Sequence, residues 1–321
     1  MKILLKREGE LIMHNLRRFF YQNKYQIFGV IGIIVFILII IQLMNLLAKK
    51  SNNDKLISKQ QNTTNTIENN PGVISEKSAV TGQEVSKTQL NTETTAINKF
   101  MEYCNNQDFE NAYNMITDDC KKQMYNSLDV FIQSYYKNVF NGEKKNFTIE
   151  NWVKDTYRVN ITGDILATGK VDDYSKQDYI TVKDVNNECK LNINNYIGYT
   201  EINKKTTKDD ITIDVIDKNT YKDYESYTIS VINNTKSAIQ LDNISNTDSL
   251  YIEDAKGVKY PYYNHELTVP MVTVQSKQTK EITIKFYSSY VSTKVIERIV
   301  FSNLMLRNGQ LSDHMNFEAD L

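Results

Sequence analysis

Along most of its length after Asn146, the chain alternates apolar and polar residues. The segments "NFTIENW", "YRVNITG", "ILATGKV", "DYITVKD" and "CKLNINNYIGY" carry that alternation, with Asp, Asn, Gly and Ser between them. A period of two puts successive side chains on opposite faces of a strand, so this pattern commits the region to sheet. After the polar stretch "EINKKTTKDD", read as a hinge, the alternation resumes. Ile211, Ile213 and Val215 share one face, as do Tyr227, Ile229 and Val231, and Ile282, Ile284 and Phe286. "LYIEDAKGVKYPYY" has the form of a hairpin with Gly257 at a left-handed turn position, and "IERIVFSNLML" supplies a last strand. About seven or eight short strands over roughly 100 residues predict a β-sandwich.

Ahead of the strands the period is that of a helix. Ile97, Phe100, Met101 and Cys104 fall at i, i+3, i+4 and i+7. Asp108 can cap a second helix whose face is Phe109, Ala112, Tyr113 and Ile116. Ser127 can cap a third, with Leu128, Phe131, Ile132, Tyr135, Tyr136 and Val139 facing inward and Asn141-Gly142 ending it. Three helices followed by an antiparallel sheet predict an α+β domain, with a curved sheet wrapping a long helix into a cone.

Ile27 to Leu47, "IFGVIGIIVFILIIIQLMNLL", contains no charged residue. As a helix it would span ~31 Å, the thickness of a hydrocarbon core. No small-x-small cleavage site follows before Lys49 and Lys50, so the sequence reads as a membrane-spanning segment and not a cleaved signal. The leader carries Lys2, Lys6, Arg7, Arg17, Arg18 and Lys24, against Lys49, Lys50, Lys55 and Lys59 in an equal window beyond. That bias places the N-terminus in the cytoplasm and the bulk of the chain outside it. From Ala48 to about Glu93 the sequence is polar and aperiodic, which reads as a flexible tether. The expected fold class is therefore an α+β cone-like domain plus an all-β immunoglobulin-like sandwich, preceded by one transmembrane helix and a disordered linker. The boundaries are a basic leader over 1–24, the span over 25–48, the linker over 49–94, the α+β domain over 95–205, the sandwich over 206–310 and a tail over 311–321.

The turn "NNQDFENAYNMI" and the strand "KLNINNYIGY" resemble the entry helices and closing strand of the nuclear transport factor 2-like superfamily, over about Thr95 to Asn203. From about Asp210 to Leu306, "VINNTKSAIQL", the Asp254–Gly257–Tyr260 hairpin, "SKQTKEITIKF" and "IERIVFSNL" resemble an immunoglobulin-like domain of bacterial surface proteins. Such domains bind proteins or bracket other domains. Enzymes of the first superfamily place a His–Asp or Tyr–Asp pair in the cone. There is no histidine between Thr95 and Asn203, which excludes the first arrangement. Tyr103, Tyr113 and Tyr157 remain as cavity candidates, with Asp108, Asp155 and Asp164 as partners; these acids sit at expected helix starts and turns, where solvated caps are the ordinary reading.

Other chemistry is absent from the sequence. The histidines, His14, His265 and His314, are too scattered for a helical zinc pair, and no C-x-x-C, phosphate loop or nucleophile elbow occurs. No metal or cofactor is expected. Three cysteines, Cys104, Cys120 and Cys189, leave at least one thiol without an intrachain partner, while a Cys104–Cys120 pairing stays open. A net charge of −1 gives no basic bulk for nucleic acid. Tyr260, Tyr262 and Tyr263 in "YPYY" form either a contact patch or core. Abundant asparagine, lysine and tyrosine with only 11 glycines read as low-GC coding in a Gram-positive-type bacterium. The leading expectation is a non-catalytic extracytoplasmic protein binding a protein or cell-envelope partner through two domains. The alternatives are an assembly component of a conjugation or type IV secretion-like machine, and a receptor or enzyme using the cone cavity.

Overall fold

The computed structural model describes residues 73–75, 77–82, 86–164, 175–245, 247–307 and 312–321. The basic leader, the expected membrane span Ile27–Leu47, most of the linker and the segment "ILATGKV" lie outside the described residues.

The chain enters with a short strand, β1 (Val73–Ser75), laid parallel on β2 (Lys145–Val153). Residues that read as linker thus take part in the fold. Ser78 extends the contact, its hydroxyl bonding the Trp152 carbonyl. Helix α1 (Lys87–Asn105) starts well before the expected boundary at 95, with Ser86 accepting from the Gln89 amide. Its inward stripe is the expected one: Ile97, Phe100, Met101 and Cys104 are each fully buried. Asp108 caps α2 (Phe109–Asn114), Thr117 caps α3 (Asp118–Met124) and Ser127 caps α4 (Leu128–Phe131). The chain then widens into a π-turn over Ile132–Tyr136 before α5 (Lys137–Val139). The wider turn brings both Tyr135 and Tyr136 into the core. Gly142, at φ +76, ends the helical part in a conformation that suits glycine.

A five-stranded sheet follows in the order β1–β2–β3–β4–β5, with β3 (Thr156–Gly163), β4 (Ser175–Val185) and β5 (Glu188–Asn192) antiparallel. Helix α1 packs against β4 and β5. Next come β6 (Tyr196–Lys208) and β7 (Ile211–Tyr221), a long hairpin closed by Asp209-Asp210 at φ 49 and 62. The residues read as a hinge are the distal half of this hairpin, and the boundary expected at 205/206 falls inside β6. Asn186-Asn187 closes the β4–β5 hairpin in the same left-handed conformation. In a glycine-poor chain, Asn and Asp take the positions where glycine is usual.

The hairpin continues into a four-stranded sheet, β13–β8–β7–β6, with β8 (Glu225–Asn233) and β13 (Thr279–Phe286). Facing it is a six-stranded sheet. Its central strand β14 (Ile296–Arg307) pairs β15 (Ser312–Asp320) along one side. Along its other side β14 pairs β10 (Leu250–Asp254) and then β9 (Ala238–Gln240), extended by β11 (Lys259–Pro261) and β12 (Thr273–Val274). The two sheets enclose a second core that contains Ile211, Ile213, Val215, Tyr227, Ile229 and Val231, as the alternation requires. Gly257, at φ +78, occupies the β10–β11 turn.

The expected fold class is corrected on two points. Among the described residues strand exceeds helix, 48% against 21%, so this part of the chain is mostly β, with a small helical part ahead of the sheets. Among the described residues no helix is long and apolar enough to cross a membrane, and the expected transmembrane helix finds no support in the structure. The physical reason is plain for α1, the longest described helix: polar side chains alternate with its single apolar stripe. All three cysteines are free thiols.

One buried ion pair joins the two facing sheets. Lys294, just ahead of β14, lies 3.2 Å from Glu225 at the start of β8, with side chains 5% and 3% exposed. The Tyr227 hydroxyl donates to the other Glu225 oxygen at 2.7 Å, and Lys294 donates to the Ser289 carbonyl at 2.7 Å. Burial lowers the ammonium's pKa against the opposing effect of Glu225, so the pair is held at a desolvation cost. Lys294→Met should therefore lower the unfolding free energy by about 3–5 kcal/mol, because Glu225 is left charged and unpaired, and adding Glu225→Leu should restore part of the loss. Urea denaturation of the two variants measures both effects.

Candidate functional site

The interior of the helical part is filled by aromatic rings. Phe131 stacks on Tyr135 at 5.7 Å, and Phe100 and Tyr125 close on the same pair at 5.8 to 6.4 Å. The three cavity candidates do not converge. Tyr103 sits at the edge of the core with Lys99 5.6 Å from its ring centre. Tyr113 donates to the Tyr125 carbonyl at 2.7 Å. Tyr157 is fully buried and donates to Glu93 at 2.5 Å. Burial raises the Glu93 carboxyl's pKa, an effect the Tyr157 hydrogen bond opposes. Asp108 caps α2 and Asp155 pairs with Lys183 at 2.9 Å, so neither partners a candidate tyrosine.

A buried Tyr–Asp pair exists elsewhere. The Tyr135 hydroxyl donates to Asp178 at 2.8 Å, and the backbone amides of Asn194 and Asn195 donate to the same carboxylate at 3.1 and 3.0 Å. Asp178 is 1% exposed, and burial raises its pKa despite these three donors. The carboxylate ties the helical part to the β5–β6 turn, whose Asn194 and Asn195 both have positive φ. It is a turn clamp. Sequence reasoning passed over it because Asp178 opens a strand segment and its partner lies 43 residues away.

The tyrosines of "YPYY" separate. Tyr262 is fully buried, its hydroxyl on Asp242. Tyr260 is half-buried, donating to Asp254 at 3.0 Å beneath Lys294. Only Tyr263 reaches a surface cluster: it stacks on Tyr287 at 3.6 Å and meets Tyr224 and His265 at 5.9 and 5.6 Å. Tyr287 is 46% exposed. Asp254 also accepts from the amides of Val258 and Lys256, which, with Tyr260, hold its pKa below the usual aspartate range.

One concavity, of about 570 Å³, lies along β12 and β13; another is an open groove of about 500 Å³ where the α/β part meets β6 and β7. Val185 and Tyr199 flank it as exposed apolar side chains, 40% and 39% accessible. Asp118 and Asp119 from the start of α3 and Asp184 from β4 contribute carboxylates, and Lys183 and Lys218 contribute ammonium groups. Lys183 is already paired with Asp155. Neither Tyr135 nor Asp178 lines this groove. Among the described residues no cluster of His, Cys, Asp or Glu has the geometry of a metal site. The thiols are poor nucleophiles: burial pushes Cys104 well up and Cys120 up to about 12.

Comparison with known protein families and with curated proteins finds no match. Among solved structures, a secreted protein from Mycobacterium tuberculosis, MPT63, aligns at 12% identity and a TM-score of 0.23. The alignment covers 37% of this chain and 95% of that one. A likeness at that level carries no argument, and neither family resemblance drawn from the sequence gains support from it.

Two outcomes follow from this geometry. Asp178→Ala should cost about 3 kcal/mol or more, since a buried hydroxyl and two amides lose their acceptor, whereas Tyr135→Phe should cost about 1–3 kcal/mol; thermal unfolding measures both. The Asp254 carboxyl has a folded pKa below its unfolded one, so its contribution is present above the ordinary aspartate range and is lost as pH falls through the lower folded value. A carboxyl-detected NMR titration should place its midpoint below that of exposed aspartates, and Tyr260→Phe should move it up.

Proposed function

We propose that this chain is a non-catalytic binding protein that engages a protein or cell-envelope partner. The observation that carries the reading is where space is found. The helical core is occupied by stacked rings, while an open groove at the surface is flanked by exposed Val185 and Tyr199. The buried and half-buried carboxylates that the hydrogen bonds place support it too. Asp178, Glu93 and Glu225 each bind groups of the fold itself, which accounts for them without a substrate. Grooves at the junction of two packed units are favoured places for ligands. The extracytoplasmic site of action belongs to this proposal.

A photo-crosslinking residue placed at Tyr199 in living cells tests the proposal, with the exposed Val80 position as control. Position 199 should give a discrete adduct whose partner, identified by mass spectrometry, crosslinks back when it carries the probe. Identical adduct patterns from 199 and 80 would contradict it. Protease added to intact cells should digest the described part of the chain; full protection would overturn the extracytoplasmic placement.

A further inference from the structure

Strand β6 is an edge strand, paired to β7 on one side only. Its distal half is shielded by β15: Lys204 donates to the Leu321 carbonyl at 3.0 Å, Lys208 donates to the Asn316 carbonyl at 2.8 Å, and the Asp320 amide donates to Thr206 at 3.2 Å. Its proximal half has no second strand paired to it among the described residues; the Asn192 side-chain amide donates to the Ile197 carbonyl at 2.9 Å just ahead of Gly198. Two register shifts, at Tyr196/Gly198 and at Glu201/Lys204, isolate Gly198–Glu201 as a regular four-residue segment. Three of those four residues, Gly198, Tyr199 and Thr200, line the groove. A regular edge with no second strand paired to it is where an extended chain can add as a further strand.

Charge selects the occupant. The groove walls present Asp118, Asp119 and Asp184, of which Asp118 pairs with Lys121 at 3.7 Å, against Lys218 and Lys183, the latter paired with Asp155. The edge itself carries a like-charge pair: Glu201 stands opposite Asp217 in the β6–β7 register, an arrangement that costs stability unless a cation lies near. One oxygen of Asp217 is buried without a hydrogen-bond partner. The Tyr199 phenol responds to the same field. Its pKa is raised, first by burial and then by Asp217, Glu201 and Asp119.

We propose that the groove takes an extended segment of a partner protein bearing lysine or arginine at alternate positions, added as a strand along Gly198–Glu201. Backbone hydrogen bonds to β6 give this mode its affinity, and the carboxylates set its preference for cations. The inference rests on the binding function proposed above and names the chemistry of the partner.

The test uses the purified full chain and a fluorescein-labelled, capped heptapeptide of alternating lysine and valine, with its glutamate-for-lysine counterpart as control. Fluorescence anisotropy should show saturable binding of the basic peptide only, weakening as salt rises. Asp118→Asn, Asp119→Asn and Asp184→Asn combined should weaken it at least fivefold. In the wild-type chain, hydrogen exchange followed by mass spectrometry should show new protection over Gly198–Glu201. Equal binding of the acidic peptide, a loss under fivefold in the triple variant, or binding without protection at that segment would overturn the proposal. So would no binding of either peptide. If Tyr199 still captures a partner in cells when the basic peptide fails, the binding function stands and only the strand-addition chemistry falls.

Discussion

Two hydrophobic cores share one hairpin, and the rest of the structure depends on that sharing. The near end of β6–β7 contributes Tyr196 and Tyr221 to the core beneath α1, while the far end contributes Ile211, Ile213 and Val215 to the core between the facing sheets. A paired hairpin resists bending about its own axis, because its ladder bonds and cross-strand side-chain contacts would have to break together. The contacts around it reinforce the junction. Tyr196 donates to Asn219 at 2.8 Å, the Lys222 amide donates to the Asn195 carbonyl at 2.9 Å, and Lys222 lies 4.8 Å from the Tyr179 ring centre. The groove is the space left between these two packed ends, so its shape is set by the hairpin.

The polar groups inside the molecule follow the same logic. Asp178 clamps the turn from which β6 departs, and the Lys294–Glu225–Tyr227 cluster ties β8 to the approach of β14. Each is a charged group placed where two elements must keep a fixed relation, and each is satisfied by several donors or a counter-ion. Removing a single partner leaves a buried charge or dipole without compensation, which makes these clusters structural commitments.

Local pattern was a good guide and long-range pairing was not. The i, i+3, i+4, i+7 stripe of α1, the caps at Asp108 and Ser127, the Asn141-Gly142 stop, the Gly257 turn and the alternating faces of β7, β8 and β13 were all legible, because neighbouring residues determine them. The stretch "EINKKTTKDD" misled because its polarity suits a hinge and also suits a solvent-facing edge strand; only the partner strand decides between them. Val73–Ser75 escaped notice for the same reason: three residues carry no period, and their pairing with β2 spans more than seventy positions. The candidate tyrosines share only their residue type, and their surroundings diverge with depth. Tyr157 and Tyr262 became core anchors, and Tyr263 joined Tyr224 and Tyr287, which no sequence motif connects to it. The groove had no sequence signal at all, since its walls come from α3, β4, β6 and β7.

Trp152, the chain's single tryptophan, packs edge-on against Tyr179 at 4.7 Å and lies 6.0 Å from Tyr290, so it reports directly on the junction. Far-UV circular dichroism reports strands on both sides of it. Equilibrium urea unfolding of the full chain followed by both signals tests whether the shared hairpin couples the two cores. Coincident transitions with one midpoint are the predicted result. A tryptophan transition displaced from the dichroism transition, with the junction opening while strands persist, would contradict the account.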